Sequence, residues 1–177
     1  NHVYNPYFYE GTKTYIYEVF EQLKRMPKHI LIPVGNGTLF LGAIYALEHL
    51  LASGVIEEMP KIIALQSQNC DPLLQAAERG EDKPAKVTPT PTIAEGIAIG
   101  LPMRGEEILR LTHKYNIKYV HAPEDKIMEA RVALAKKGIY CEHTTAANYA
   151  AYLHYCQLYG TAEDCLITMC GAGLKSD

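Results

Sequence analysis

Residues Ile30-Leu31-Ile32-Pro33-Val34-Gly35-Asn36-Gly37-Thr38-Leu39 carry the reading of the fold. The first five are apolar and rich in β-branched side chains, the pattern of a short strand buried on both faces. Two glycines follow. Then Leu39, Ala43, Ala46, Leu47 and Leu50 recur at helical spacing until Gly54. Strand, glycine turn and helix in that order form the repeating unit of a parallel sheet.

The same alternation continues outward. Ile16, Val19, Phe20 and Leu23 predict a helix from about Thr12, and Ile62-Ile63-Ala64-Leu65 a second strand. Ile108, Leu111 and Tyr115 predict a helix, and Tyr119-Val120-His121-Ala122 a strand. A further helix carries Ile127, Ala130 and Leu134 and stops near Gly138. Thr144 or Thr145 is expected to cap an alanine-rich helix through Leu158. Leu166 to Cys170 then reads as a strand running into Gly171-Ala172-Gly173. No internal repeat or domain break interrupts residues 1–177, which are read as one α/β domain. Its expected architecture is three-layer α/β/α, a mostly parallel open sheet with helices on both faces. The one long loop, Gly80 to Pro91, reads equally as a lid or a surface linker.

Composition narrows the function. With 177 residues, 48% of them hydrophobic and 21% charged, the chain can bury a core and is neither collagen-like nor a disordered tail. A net charge of -3 argues against a nucleic-acid surface. No apolar run is long enough to predict a membrane span. Five cysteines without a C-x-x-C point to reduced thiols and a cytoplasmic protein. Seven scattered histidines, none in an H-x-x-x-H pair, give no metal site.

Three segments could carry chemistry. At Gly35-Asn36-Gly37-Thr38-Leu39 a strand end opens through glycines into a helix, where free amides and the helix dipole favour an anion. A tight turn that binds nothing is the other reading, and these residues alone leave both open. A dinucleotide fingerprint needs a third glycine where Phe40 stands, and an acidic residue where the next strand ends Leu65-Gln66-Ser67-Gln68. A P-loop needs Gly-Lys-Ser/Thr, whereas Ala43-Ile44 follows Gly42. A single phosphate group is the ligand that survives. The second segment, Thr168-Met169-Cys170-Gly171-Ala172-Gly173, sets a hydroxyl or thiol beside glycines at the same sheet edge, or else is a plain chain end. In the third, Glu142-His143-Thr144-Thr145, the carboxylate is either a helix cap or a site acid.

Together these pieces resemble the C-terminal half of a fold-type II pyridoxal-phosphate enzyme, closest to the threonine synthases. The matching motifs, in family order, are Asn5-Pro6 with Glu10-Gly11-x-Lys13-Thr14, then Pro33-Val34-Gly35-Asn36, then Thr92-x-Ala94-x-Gly96-Ile97-x-Ile99-Gly100-x-Pro102. Gly138-Ile139-x-Cys141-Glu142 and Gly171-x-Gly173-Leu174-Lys175 complete the set. The resemblance implies pyridoxal 5'-phosphate as cofactor, its phosphate wrapped by Gly35, Asn36, Gly37, Thr38 and Leu39. It implies Gly96 along the ring edge, Glu142 at the site, and Cys170 where the family sets a Ser or Thr facing the pyridine nitrogen. A neutral partner there suits elimination and replacement at the β or γ carbon of an amino acid. His143 in place of a Pro, and Ala172 in place of a His, depart from the threonine synthase pattern, and Cys170 is shared with some serine dehydratases.

The Schiff-base lysine of the family sits in a Ser-x-Lys motif, and no such motif occurs in this sequence. Lys13 belongs to a different family motif and is read as a helix-start residue. The chain is therefore expected to hold no catalytic residue of its own and to be inactive alone, as a fragment of a threonine synthase-like or serine/threonine dehydratase-like lyase. A non-catalytic phosphate-binding or interaction module is the alternative. Seven of the sixteen aromatics fall within the first twenty residues, a start like the middle of something larger. Apolar surface shaped for a missing half is expected to be reburied by self-association. Light scattering should accordingly find a homodimer or larger species, and a clean monomer would contradict the expectation.

Overall fold

The computed structural model describes residues 2–175. Its elements run α1 (Pro6–Leu23), β1 (His29–Pro33), α2 (Thr38–Ala52), β2 (Lys61–Ser67), α3 (Pro72–Glu78), α4 (Gly105–Lys114), β3 (Lys118–Ala122), α5 (Ile127–Ala135), α6 (His143–Tyr159) and β4 (Cys165–Ile167), with four short 3-10 turns between or beside them. The four strands form one parallel sheet in the order β3-β2-β1-β4. The sequence-predicted layers are present.

Period-two alternation explains how the sheet is covered on both sides. Ile30, Ile32, Ile62 and Ala64 enter one core with Ile16 of α1, Phe40 and Leu47 of α2 and Ile108 of α4. Their neighbours Leu31, Ile63 and Leu65 enter a second core with Val120, Ile127 of α5 and Ala146, Ala147 and Ala151 of α6. Each large aliphatic side chain removed from water contributes about 1.5–3 kcal/mol. Runs of consecutive apolar residues are thus what a twice-covered strand requires.

Several boundaries differ from those expected. α1 starts at Pro6 rather than near Thr12: Asn5 Oδ1 accepts the Tyr7 amide at 3.1 Å, and Pro6 occupies the first helical position. Periodicity misses these turns because Tyr7 and Phe8 are exposed. Lys13 is consequently no helix-start residue; it lies buried mid-helix, its Nζ 2.7 Å from Glu10. The short helix α3 lies outside the expected elements, although Asp71-Pro72 has the form of a helix start. The cap of α6 is Glu142, not Thr144 or Thr145. β4 ends at Ile167 instead of Cys170.

The loop from Gly80 to Pro91 is strapped to the body. Ala85 is buried and its amide donates to the Pro72 carbonyl at 2.9 Å, while Pro84 and Pro89 lie over Gly105 and Gly100. In the core shared with α3 and α4, α1 crosses α2 at Gly42, where a Cβ would lie 2.0 Å from Thr12 Oγ1 and 3.1 Å from the Thr12 backbone carbon. Gly42→Ala must push the two helices apart. It should cost about 1–3 kcal/mol, read as a lower urea midpoint, and an unchanged midpoint would refute this close approach.

Candidate functional site

From β1 the chain runs to β2 and β3 on one side, and returns as β4 on the other. The carboxyl ends of β1 and β4 therefore form a switch point, the place where open parallel sheets leave a crevice. A cleft of about 440 Å³ opens there. Gly35, Asn36, Gly37, Thr38, Leu39, Gly96, Glu142 and Cys170 all line it, so the fold brings the eight sequence-predicted site residues to one place. None of residues 80–91 lines this cleft, which leaves that loop without a lid's position.

The first wall is the turn after β1. Val34 still belongs to the sheet, donating to the Leu65 carbonyl at 2.9 Å. The first helical bond of α2 runs from the Leu41 amide to the Gly37 carbonyl at 2.8 Å. Between them, the amides of Gly35 through Leu39 meet no acceptor among the described residues. Gly37 has φ +82, and a Cβ on it would lie 2.3 Å from Ile108 Cδ1, so only glycine fits. A Cβ on Gly35 would lie 2.9 Å from the Gly96 carbonyl oxygen, closing the cradle. Unpaired amides, the amino end of a 15-residue helix and a glycine-walled hollow form a donor set that fits a phosphate.

Gly96 sits in a 3-10 turn (Glu95–Ile97) reached through Thr92. The Thr92 hydroxyl donates to Glu124 at 2.6 Å and accepts the Ala94 amide at 3.1 Å, while the Ile93 amide donates to the same carboxylate at 2.8 Å. The loop is thereby tied to the end of β3. A Cβ on Gly96 would lie 2.8 Å from Thr144 Oγ1. Thr144 lines the cleft, and the hydrogen bond it gives to Glu142 at 2.7 Å comes from its amide, not its hydroxyl.

Glu142 and Thr145 build the third wall. Glu142 accepts the Thr144 and Thr145 amides, each at 2.7 Å, and the Thr145 hydroxyl at 2.9 Å, so both of its carboxylate oxygens are engaged by the start of α6. Thr145 Oγ1 also accepts the amides of Cys170 at 3.0 Å and Gly171 at 3.1 Å. The Cys170 residue is exposed toward the cleft, yet the protein crowding its sulfur pushes the thiol up to about 11. The Asn148 amide opposes that shift and the Glu142 charge adds to it. The thiol is thus protonated at neutral pH.

Gln66 disposes of the dinucleotide reading. It occupies the strand end where an acidic ribose ligand would stand, but is fully buried: its Oε1 accepts the Leu73 and Leu74 amides at 2.9 and 3.0 Å and its Nε2 donates to the Val34 carbonyl at 3.1 Å. Phe40, in place of a third glycine, is core. Sequence reasoning missed Thr144 as a cleft hydroxyl, the hub role of Thr145, and Asn148. The two threonines are legible in sequence only as caps, and Asn148 carries no local signal. A second, adjoining hollow of about 600 Å³ shares Gly96, Glu142, Thr144 and Gly171 and adds His143 and Ala172.

A sequence profile of the family described as pyridoxal-phosphate dependent enzyme matches residues 1–171. The chain is 30% identical over 149 residues to threonine synthase of Methanocaldococcus jannaschii, covering 82% of this chain and 36% of that protein. It is 25% identical over 172 residues to threonine synthase of Synechocystis sp., covering 97% and 43%. Among solved structures it is similar to the processed form of threonine deaminase isoform 2 from Solanum lycopersicum, with TM-score 0.72, 23% identity and coverage of 93% and 43%. Maize serine racemase gives TM-score 0.73 and 20% identity over 94% of this chain and 49% of that one. The chain spans about two fifths of the length of these curated relatives. At such identities the structural likeness speaks for the fold alone.

Thr145→Val keeps the shape of the hub and removes its oxygen. The Cys170 and Gly171 amides then lose their acceptor, at a cost of about 1–3 kcal/mol. Hydrogen exchange at those two amides should quicken by about tenfold; wild-type protection in the variant would show the hub to be dispensable.

Proposed function

The chain belongs to the pyridoxal-phosphate dependent enzyme family, and from that premise we propose that it is the cofactor-phosphate-binding α/β unit of a threonine synthase-like lyase acting on an amino acid. The observation that carries this reading is the run of unpaired amides from Gly35 to Leu39, opening onto the cleft that Cys170 and Gly96 share. Those amides would hold the phosphate, the edge of Gly96 would admit a flat ring, and the protonated Cys170 thiol would face its nitrogen as a neutral partner. Pyridoxal phosphate, when bound, supplies an electron sink for bond breaking at the α carbon of an amino acid. Glu142 has no role as an acid or base in this reading, because three donors already hold its carboxylate as the cap of α6. Thr144 sets its hydroxyl beside Gly96.

No lysine is among the described residues that line the cleft. This supports the narrower proposal that the 177 residues alone bind the cofactor without turnover, the lysine of the family being supplied from outside them. The same observation favours the second reading, a non-catalytic phosphate-binding module. A cytoplasmic homo-oligomer is part of the proposal for the parent enzyme.

Equilibrium dialysis with pyridoxal phosphate tests it. Binding should be saturable, displaced by inorganic phosphate, and weakened about tenfold or more by Thr38→Asp, a loss of about 1.4 kcal/mol. That substitution sets a carboxylate at the amino end of α2, where it favours the helix and repels phosphate. Absence of saturable binding, or indifference to phosphate and to Thr38→Asp, would refute the reading. Lyase turnover by the chain alone, with cofactor trapped by borohydride on one lysine, would overturn the claim of inactivity.

A further inference from the structure

Beneath Cys170 lies Asn148, on the second turn of α6 and fully buried. Its Nδ2 donates to the Thr168 carbonyl at 2.6 Å and to Cys170 Sγ at 3.6 Å. Its Oδ1 is buried without a partner among the described residues. The orientation of this amide is fixed by chemistry, since a carbonyl only accepts and the nitrogen must face it. Thr168 in turn cannot shift: its amide and hydroxyl both donate to the Leu31 carbonyl, at 3.3 and 2.9 Å, and its hydroxyl meets Tyr15 Oη at 2.9 Å. Holding an unpaired carbonyl oxygen in a dry site is costly. An apolar side chain would avoid that cost, so the residue type makes physical sense through its two donated hydrogens.

One of those hydrogens goes to sulfur. A thiol has a single hydrogen of its own, and Cys170 gives it to no acceptor among the described residues. We propose that Asn148 is the positioning residue of the cleft: by donating to Cys170 Sγ it occupies the acceptor side of the sulfur and leaves the S–H free as a donor to an acceptor nitrogen on the bound ligand. The inference rests on the reading of the cleft as a pyridoxal phosphate site. It adds to that reading a buried residue outside the cleft lining, Asn148, that orients the thiol from beneath. Of the titratable groups that face this sulfur, the Glu142 carboxylate opposes its ionisation, while Tyr15 is a phenol kept neutral first by burial and then by the sulfur's own charge.

The thiol itself reports on the claim without any turnover. Alkylation of Cys170 by iodoacetamide across a pH series, read by peptide mass spectrometry so that the other four cysteines are counted separately, gives its titration midpoint. Asn148→Leu and Asn148→Asp each remove the donor that stabilises the thiolate. Both midpoints should rise by about half a unit or more, which is about threefold slower alkylation at a fixed lower pH. Folding is checked by circular dichroism, and an unmoved midpoint in a folded variant overturns the proposal. If neither variant folds, Cys170→Ala decides. One Asn148 side-chain amide proton should lose its downfield shift by NMR while the proton on the Thr168 carbonyl keeps its own, and two unmoved protons overturn the proposal. Failure to bind pyridoxal phosphate in dialysis would strike the reading of the site and leave this titration intact; bound cofactor with an unmoved midpoint would strike this inference alone.

Discussion

Strand β1 has no free side. It pairs with β2 and β4, and helices cover both of its faces. Its backbone is therefore committed to its neighbours, and the chain can only leave at the carboxyl end. That exit must turn at once into α2, whose first core residue, Phe40, follows Pro33 closely. A turn so short forces Gly37 into a left-handed conformation against Ile108. It also strands the first amides of α2 with nothing among the described residues to accept them. The candidate site is in this sense a by-product of burying β1: the geometry that closes the sheet is the geometry that leaves donors facing outward.

The other two walls are not backbone ladders but polar side chains joining distant segments. Thr92 and Glu124 fix the Gly96 loop, and Thr145 fixes the residues after β4 to the start of α6. β4 is only three residues long, so its pairing with β1 ends before Cys170 is reached. Thr168, Asn148 and Thr145 take over from there. Replacing a ladder by side-chain bonds lets the chain diverge from the strand direction while its amides stay paired. The price is that single hydroxyls carry several partners each.

Much of this is legible in the sequence, and the division is physical. Strands covered on both faces announce themselves as unbroken apolar runs, and the glycines at Gly35 and Gly37 mark the exit. What stays hidden is set by exposure or by distance. The first turns of α1 are solvent-facing at Tyr7 and Phe8, so periodicity is silent there, although Asn5-Pro6 has the form of a helix start. Glu142 is masked as the cap by the two threonines after it, which have the stronger general preference. Its two oxygens reach both amides at once, which one hydroxyl cannot do. The bonds from Asn148 to Thr168 and from Thr145 to Cys170 span 20 and 25 residues, and no local pattern encodes them.

Charge is what the cleft nearly lacks. No lysine or arginine lines it among the described residues, the Glu142 carboxylate is engaged by three donors at the start of α6, and Cys170 keeps its proton. An anion held there is held by amides and a helix dipole, which act over the first turn and in fixed directions. Such a cradle discriminates by shape as much as by charge, since a tetrahedral group can meet several amides at once. Beside that cradle the cleft presents the neutral Cys170 thiol and the side chain of Thr144. The polarity of the cleft is therefore one-sided, and it suits a ligand with a compact anion at one end and an uncharged, flat ring at the other.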